Sequence, residues 1–247
     1  MEEFFIDINC DVGEGIGNER DLMPLISSCN IACGGHAGDD NTMSEVVRLA
    51  KQNQVKVGVH PSYPDKKNFG RVSMDISKKQ LRESIQRQLQ DFSRILEAED
   101  VPLHHIKAHG ALYNDIAKNI ELARTFLKAI NSFKNNIFLY VPYGSVIEQK
   151  ALEQGWSIKR EAFADRNYNP DLSLVSRKLP YALLEEPREV LDHIVRMIKN
   201  SRVKTVNGSD VPIKAETFCV HGDTVSALQI LNYLSRTLPD QHIYLRK

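Results

Sequence analysis

Neither sign of charge predominates in this sequence of 247 residues, because 32 lysines and arginines balance 32 aspartates and glutamates. Without a basic or acidic block, nothing predicts a surface for nucleic acid or for an anionic membrane. The sequence also lacks an apolar run of the roughly 20 residues that span a bilayer, and its acidic start, MEEFFIDINC, lacks the basic region of a secretory signal. We therefore expect a soluble, cytoplasmic protein that binds a small molecule.

Cysteine is scarce, and the four that occur are Cys10, Cys29, Cys33 and Cys219. They fall within or at the ends of strand-like segments, as small buried residues do in a reducing compartment. Cys29 and Cys33 have neither C-x-x-C spacing nor a second cysteine pair, which favours packing over metal binding.

The motifs of several enzyme classes are missing as well. The glycines of GEGIG, residues 13–17, match neither the phosphate loop G-x-x-x-x-G-K-[ST] nor the dinucleotide fingerprint G-x-G-x-x-G. No G-x-S-x-G nucleophile elbow occurs. For an enzyme, we therefore expect the nucleophile to be a water molecule activated by a carboxylate, an imidazole or a metal.

Short β-rich runs alternate with longer helical patterns along the chain, with no linker or obvious repeat. The predicted strands are Phe4–Asp11, Ser28–Cys33, Lys56–His60, His105–His109, Ile137–Val141, Ser157–Phe163 and Thr217–His221. The predicted helices are Thr42–Gln54 after Asn41, Lys78–Glu99 after a Ser77–Gln80 capping box, roughly Pro187–Lys199, and one capped by Asp223 or Thr224 that ends near Thr237. A small hairpin is predicted at Val203–Ile213.

Strands that are separated by helices run parallel and are covered by those helices. At this length the alternation favours a single domain, residues 1–247, in which seven strands form a closed α/β barrel rather than an open sheet.

Ionisable residues gather at one end of the predicted strands. They are Asp11 and Glu14 at the first strand, His36 and Asp39 at the second, His60 at the third, Lys107 and His109 at the fourth, Glu161 and Asp165 at the sixth, and His221 and Asp223 at the seventh. Active sites of parallel barrels lie at the C-terminal ends of the strands, so this pattern predicts an enzyme.

Histidines need a separate argument, because a single histidine is more often a hydrogen-bonded structural residue than a catalytic one. Histidines at four strand ends, however, indicate that at least two of them serve the site. We assign three of the others, His104, His193 and His242, to the surface or the core.

Six motifs together resemble those of the LamB/YcsF family. In chain order they are IDINCDVGEG, NIACGGHAGD, GVHPSYPD with FGR, IKAHGALYN, REAFADRNY and CVHGDT, between about Ile6 and Leu234. The chain departs from the family pattern where Gly35 replaces a phenylalanine and where Ser62 and Asn68 replace glycines, but it keeps every ionisable motif residue.

The resemblance implies a seven-stranded (β/α) barrel of the glycoside hydrolase/deacetylase type. It also implies the ATP-dependent opening of 5-oxoproline (pyroglutamate) to L-glutamate, since the family is described as the A component of bacterial 5-oxoprolinase and acts with 5-oxoprolinase subunits B and C. The absence of a phosphate loop agrees with an enzyme in which the binding and use of ATP depend on the partner subunits.

Within this interpretation we assign roles to the strand-end residues as hypotheses. The predicted catalytic residues are Asp11, His36, His60 and His109, with Glu161 or Asp223 orienting an imidazole. The predicted substrate-binding residues are Lys107 or Arg71, for a carboxylate or a phosphate, together with Glu14, Asp39, Asp165 and His221.

Other interpretations stay open. Related deacetylase barrels hold a divalent metal with one aspartate and two histidines, and Asp11, His36 and His60 could do the same, although the chain lacks their H-x-x-x-H element. The protein could then be a stand-alone metal-dependent deacetylase or amidohydrolase. It could also be a ligand-binding subunit without catalytic activity.

Overall fold

The computed structural model describes residues 2–246 of the chain. Its strands are β1 (Phe4–Val12), β2 (Ser28–Ala32), β3 (Lys56–His60), β4 (Leu103–Ile106), β5 (Phe138–Pro142), β6 (Ile158–Phe163), β7 (Arg202–Lys204), β8 (Asp210–Pro212), β9 (Thr217–Cys219) and β10 (Ile243–Leu245). Its helices are α1 (Glu19–Leu22), α2 (Asp40–Gln52), α3 (Lys78–Glu99), α4 (Gly110–Lys118), α5 (Ile120–Ala129), α6 (Val146–Glu153), α7 (Pro187–Asn200) and α8 (Ala227–Thr237).

Seven parallel strands close a barrel in the order β1-β2-β3-β4-β5-β6-β9, and β9 pairs back onto β1 with Ile8 opposite Phe218. Strand β10 lies parallel to the start of β1, and β7 and β8 form an antiparallel hairpin. The predicted seven-stranded barrel is therefore confirmed. The sequence pattern does not reveal α1, α4, α5, α6 or β10, because such short elements offer few periodic positions.

The fourth strand differs from its prediction. It is Leu103–Ile106 rather than His105–His109, and Lys107 and His109 lie in the loop that follows. The backbone N–H of Lys107 still donates to the carbonyl oxygen of Val59, at 3.1 Å. The loop thus remains tied to β3 while its side chains turn toward the barrel mouth.

The last helix also begins later than predicted. It starts at Ala227 after Ser226, not at Asp223 or Thr224. The Asp223 carboxylate faces two arginine side chains, so it is not available to cap a helix. No helix within residues 2–246 combines the length and the apolar composition that crossing a membrane requires.

The barrel interior beneath the mouth is polar. Asp7, Asn9 and Asp11 alternate along β1 with buried apolar residues that join the hydrophobic core. Asn9 Nδ2 donates to Glu161 Oε1 at 2.9 Å, and Asn30 Nδ2 donates to Asn9 Oδ1 and Asp11 Oδ1 at 2.7 Å each. These bonds orient the Asp11 and Glu161 carboxylates through one oxygen of each, while Glu161 Oε2 has no hydrogen-bond partner among the described residues.

The histidine His193 on α7 is buried, and its ring stacks on Tyr168 with centroids 6.0 Å apart. Burial lowers the pKa of His193 to about 4. In the unfolded chain the imidazole of His193 is protonated near pH 6.5, whereas in the folded chain it is protonated only near pH 4. The folded state therefore loses stability as the pH falls through this range.

We expect this histidine alone to lower the free energy of unfolding by on the order of 3 kcal/mol between about pH 7 and about pH 4. Urea denaturation of the wild type and of His193→Gln across this range would measure it. The variant should lose less stability on acidification than the wild type. Equal losses in the two proteins would contradict the assignment.

Candidate active site

A cavity of about 570 Å³ opens at the C-terminal end of the barrel. Of the residues predicted for the site, those that line it are Asp11, Glu14, His60, Arg71, Lys107, His109, His221 and Asp223. The others, His36, Asp39, Glu161 and Asp165, lie outside the lining. The fold therefore brings most of the predicted residues into one space.

Lys107 is buried, and its ammonium group lies between two carboxylates. Its Nζ is 2.9 Å from Asp11 Oδ1, 2.8 Å from Glu161 Oε1 and 3.1 Å from Cys219 Sγ. Burial alone lowers the pKa of a lysine, but Asp11, Cys219 and Glu161 together outweigh this effect, and the pKa of Lys107 lies well above its usual range. Lys107 is therefore permanently charged, and the carboxylates of Asp11 and Glu161 neutralise this charge. Glu161 thus binds Lys107 and does not orient an imidazole.

His60 and His109 meet beside Asp11, and their hydrogen bonds identify which ring nitrogens carry protons. Nδ1 of His60 lies 2.8 Å from the carbonyl oxygen of Lys107, and Nε2 of His109 lies 3.0 Å from that of Phe69. Because a carbonyl oxygen only accepts, both of these nitrogens donate. The remaining nitrogens, Nε2 of His60 and Nδ1 of His109, face each other at 3.0 Å.

In two neutral imidazoles these facing nitrogens both carry lone pairs, which repel unless a positive species lies beside them. Asp11 Oδ2 is 3.3 Å from Nε2 of His60, and Glu14 Oε1 is 3.3 Å from Nδ1 of His109. The group of two nitrogens and two carboxylates suits either a shared proton or a divalent cation. Burial lowers the pKa of His109, which disfavours the proton.

Three groups of ligand atoms among residues 2–246 could hold a cation: two of them share His109, and the third is Asp11 with Cys219 and His221. Asp11, His60 and His109 each offer one ligand atom within 4.8 Å of the others, and so do Glu14, His36 and His109. The trio that we predicted, Asp11 with His36 and His60, does not form such a group among the described residues. The reason is that His36 Nε2 is directed at Glu14 Oε1, 2.9 Å away.

His36 lies behind the cavity wall. Its ring stacks on that of His109 with centroids 3.5 Å apart, and burial lowers the pKa of His36 to about 4. Burial tends to raise the pKa of Glu14, but the adjoining His109 and His36 rings outweigh it and hold that pKa far below its usual range. His36 thus positions an ionised Glu14 and the ring of His109, and it does not line the cavity itself.

A second carboxylate–imidazole pair lies on another side of the cavity. Asp165 is fully buried, and its Oδ1 lies 2.9 Å from Nδ1 of His221, while the backbone N–H of His221 donates to Oδ2 at 2.9 Å. Burial tends to raise the pKa of Asp165, but His221 outweighs it, so the carboxyl stays ionised. Asp165 thus orients the ring of His221, whereas Glu161 binds Lys107 and Asp223 binds arginines.

Asp223 joins two arginines at the mouth of the cavity. Its Oδ2 accepts a hydrogen bond from Arg71 and lies 3.5 Å from Nη1 of Arg177. Arg71 also lies over the ring of Phe69, 4.8 Å from its centroid. The guanidinium group of Arg71, which we predicted to bind an anion, is therefore already bound in part by Asp223.

Asp39 lies outside the cavity and is exposed. Its Oδ1 accepts a hydrogen bond from the backbone N–H of Thr42 at 2.8 Å. It is the residue that caps α2, a role that the sequence pattern assigns to Asn41.

The sequence reasoning missed several basic residues of the cavity lining: Lys118, Arg166, Arg177 and Lys178. Arg166 carried a signal, since it directly follows Asp165 in the motif REAFADRNY at the end of β6. The other residues lie at a helix end and in the long loop after β6, where spacing does not mark them.

Two of the departures from the family pattern meet in space. A Cβ atom on Gly35 would overlap the hydroxyl of Ser62 and the side chain of Gln88. Gln88 bonds both backbone groups of Ser62, at 3.0 Å and 2.9 Å. The larger residue at position 62 thus occupies space that a side chain at position 35 would need.

We expect Gly35→Ala to lower the free energy of unfolding by about 1–3 kcal/mol, the usual cost of overpacking. Adding Ser62→Gly should make the double variant more stable than the sum of the two single effects predicts, because one of the overlapping atoms is gone. Urea denaturation of all four proteins would measure this coupling. Additive effects would show that Ser62 is not the obstacle.

Comparison with known proteins agrees with these motifs. The profile of the LamB/YcsF family matches residues 6–247. The A component of 5-oxoprolinase from Pyrococcus abyssi is 40% identical over 243 residues, which are 96% of this chain and 95% of that protein. Its counterpart of the same name from Haemophilus influenzae is 39% identical over 238 residues, which are 96% of this chain and 97% of that protein.

The fold has a counterpart among solved structures as well. The lactam utilization protein from Thermus thermophilus superimposes with a TM-score of 0.89 at 33% identity. The match covers 98% of this chain and 99% of that one. On profile, identity and fold together, the chain belongs to the LamB/YcsF family.

Proposed function

We propose that this chain is the A component of a 5-oxoprolinase, and that it opens 5-oxoproline to L-glutamate in a reaction coupled to the hydrolysis of ATP. The names of its relatives support a role in 5-oxoproline or lactam metabolism. The observation that carries the proposal is the pair of facing His60 and His109 nitrogens, flanked by carboxylates at the cavity wall.

Hydrolysis of a lactam requires a base for the attacking water and an acid for the departing nitrogen. In the proposed reaction the water oxygen bonds to the carbonyl carbon while a proton of the water passes to Nε2 of His60 or Nδ1 of His109. The ring C–N bond then breaks, and the nitrogen takes a proton from Nε2 of a protonated His221, whose Nδ1 is held by Asp165. The proton that His60 or His109 took from the water returns to His221 through solvent, so the protein ends the cycle unchanged.

The coupling to ATP has a physical reason. A five-membered lactam is a resonance-stabilised amide with little ring strain, so its opening is unfavourable without an additional driving force. Phosphorylation of the lactam oxygen by ATP, with release of ADP, would make the carbonyl carbon a better electrophile, and the phosphoryl group would leave as inorganic phosphate after water attacks. This chain has no phosphate loop, and we therefore propose that ATP is handled together with subunits B and C.

A divalent cation fits the same cluster. Asp11 Oδ2, Nε2 of His60 and Nδ1 of His109 would hold it, with Glu14 beside them. Such an ion would replace the histidine base: it would supply a Lewis acid and lower the pKa of a water molecule, whose proton then need not pass to these two nitrogens. Lys107 binds Asp11 through the other carboxylate oxygen, Oδ1, so the two roles of Asp11 are compatible.

We expect the purified chain to release glutamate from 5-oxoproline only when ATP and subunits B and C from the same source are added. His60→Ala should lower the turnover of this mixture by about 10²-fold or more, as the loss of a general base does. His242→Gln, a histidine near β10 and outside the cavity lining, is the matched control and should keep wild-type turnover. A folded, complete mixture that releases no glutamate would refute the assignment.

We also expect the chain to retain about one zinc or manganese ion per polypeptide after dialysis, and His109→Ala to lose it. Elemental analysis would measure this, again with His242→Gln as the control. A wild type without metal would show that a shared proton, and not a cation, lies between Nε2 of His60 and Nδ1 of His109. Hydrolysis of small amides by the metal-loaded chain without ATP or partners would favour the stand-alone amidohydrolase over the 5-oxoprolinase.

A further inference from the structure

Arg166 is a buried guanidinium that the proposed chemistry leaves unused. It follows β6, is 5% exposed and lines the cavity. Its Nη2 donates to the carbonyl oxygen of Val175 at 2.6 Å, and its Nε to that of Ala182 at 3.3 Å. A guanidinium has five N–H donors, so these two bonds leave others available to a ligand in the cavity.

Arg166 forms no salt bridge among residues 2–246, and the charge of Asp165 only partly offsets the effect of burial on the pKa of Arg166. Its nearest acidic neighbour in sequence, Asp165, holds the ring and backbone of His221. Burial lowers the pKa of Arg166 to about 10, and the side chain therefore still carries its charge at neutral pH. A buried cation without a counter-ion is costly, and a bound anion would remove that cost.

The other cations of the cavity differ in this respect. Lys107 lies between Asp11 and Glu161, and Arg71 and Arg177 share Asp223. The remaining two, Lys118 and Lys178, are exposed at the rim. Arg166 alone among these described residues is both buried and free of a carboxylate partner.

We propose that Arg166 binds the carboxylate of the lactam substrate, a role that the sequence pattern assigns to Lys107 or Arg71. The proposal rests on the proposed function and adds the residue that selects the substrate class. The planar guanidinium fork matches a carboxylate in a bidentate pair. In 5-oxoproline the carboxylate sits on the ring carbon next to the nitrogen, so holding it fixes the ring against the histidine and carboxylate wall.

The test compares two lactams in the mixture of this chain with subunits B and C. One is 5-oxoproline, and the other is 2-pyrrolidinone, which has the same ring without the carboxylate. We expect Arg166→Met to lower kcat/KM for 5-oxoproline by about 100-fold or more, mainly through KM, and to change that for 2-pyrrolidinone by less than about 3-fold. The ratio of the two values does not depend on how much of the variant is folded.

Further variants and a binding measurement complete the design. Arg166→Lys keeps the charge but loses the fork, and it should give an intermediate ratio. Arg124→Met, which removes an exposed arginine of α5, should leave the ratio at its wild-type value. Calorimetry with the chain alone should show that the wild type binds 5-oxoproline more tightly than 2-pyrrolidinone and that Arg166→Met abolishes the difference.

The outcomes separate this proposal from the function on which it rests. A wild-type mixture that neither converts nor binds 5-oxoproline overturns both. An active wild type whose Arg166→Met variant loses activity toward both lactams equally overturns only the role of Arg166, and it would mean that the residue merely supports the loop at Val175 and Ala182.

Discussion

The ammonium group of Lys107, held between Asp11 and Glu161, is the interaction on which the rest of the site depends. These carboxylates come from strands β1 and β6, which are not neighbours in the barrel, and both are buried. Without a cation between them, two negative charges would face each other in a poorly solvated space. Lys107 reaches them from the loop after β4, so one side chain ties together three parts of the barrel.

The same interaction also determines the surroundings of Asp11. Lys107 and Asn30 occupy its Oδ1, while Oδ2 faces the ring of His60. The two oxygens of one carboxylate therefore have different partners, an ammonium and an amide group on one side and an imidazole on the other. Glu14 differs, because one of its oxygens, Oε1, lies close to both His36 Nε2 and His109 Nδ1.

Much of this arrangement can be predicted from the sequence. The alternation of polar and apolar residues in IDINCDV predicts a strand, and the ionisable residues at six strand ends predict a common site. The proton positions on His60 and His109 cannot be predicted, because they depend on carbonyl groups of distant loops that approach within about 3 Å only after folding. The same holds for the choice of Asp165 over Glu161 as the partner of an imidazole. Local sequence is also ambiguous at Asp39, since Asp39, Asp40 and Asn41 are all good helix caps and only the backbone decides among them.

The four cysteines have a consequence for how an assembled enzyme would respond to thiol reagents. Cys10, Cys29, Cys33 and Cys219 are all free and buried, and burial raises the pKa of every one of these thiols. A protonated, inaccessible thiol is a poor nucleophile and a poor target for alkylation or oxidation. Even Cys219, in contact with Lys107, is shielded in this way. Inactivation of a complex by such reagents would therefore report on cysteines of its other subunits and not on the barrel.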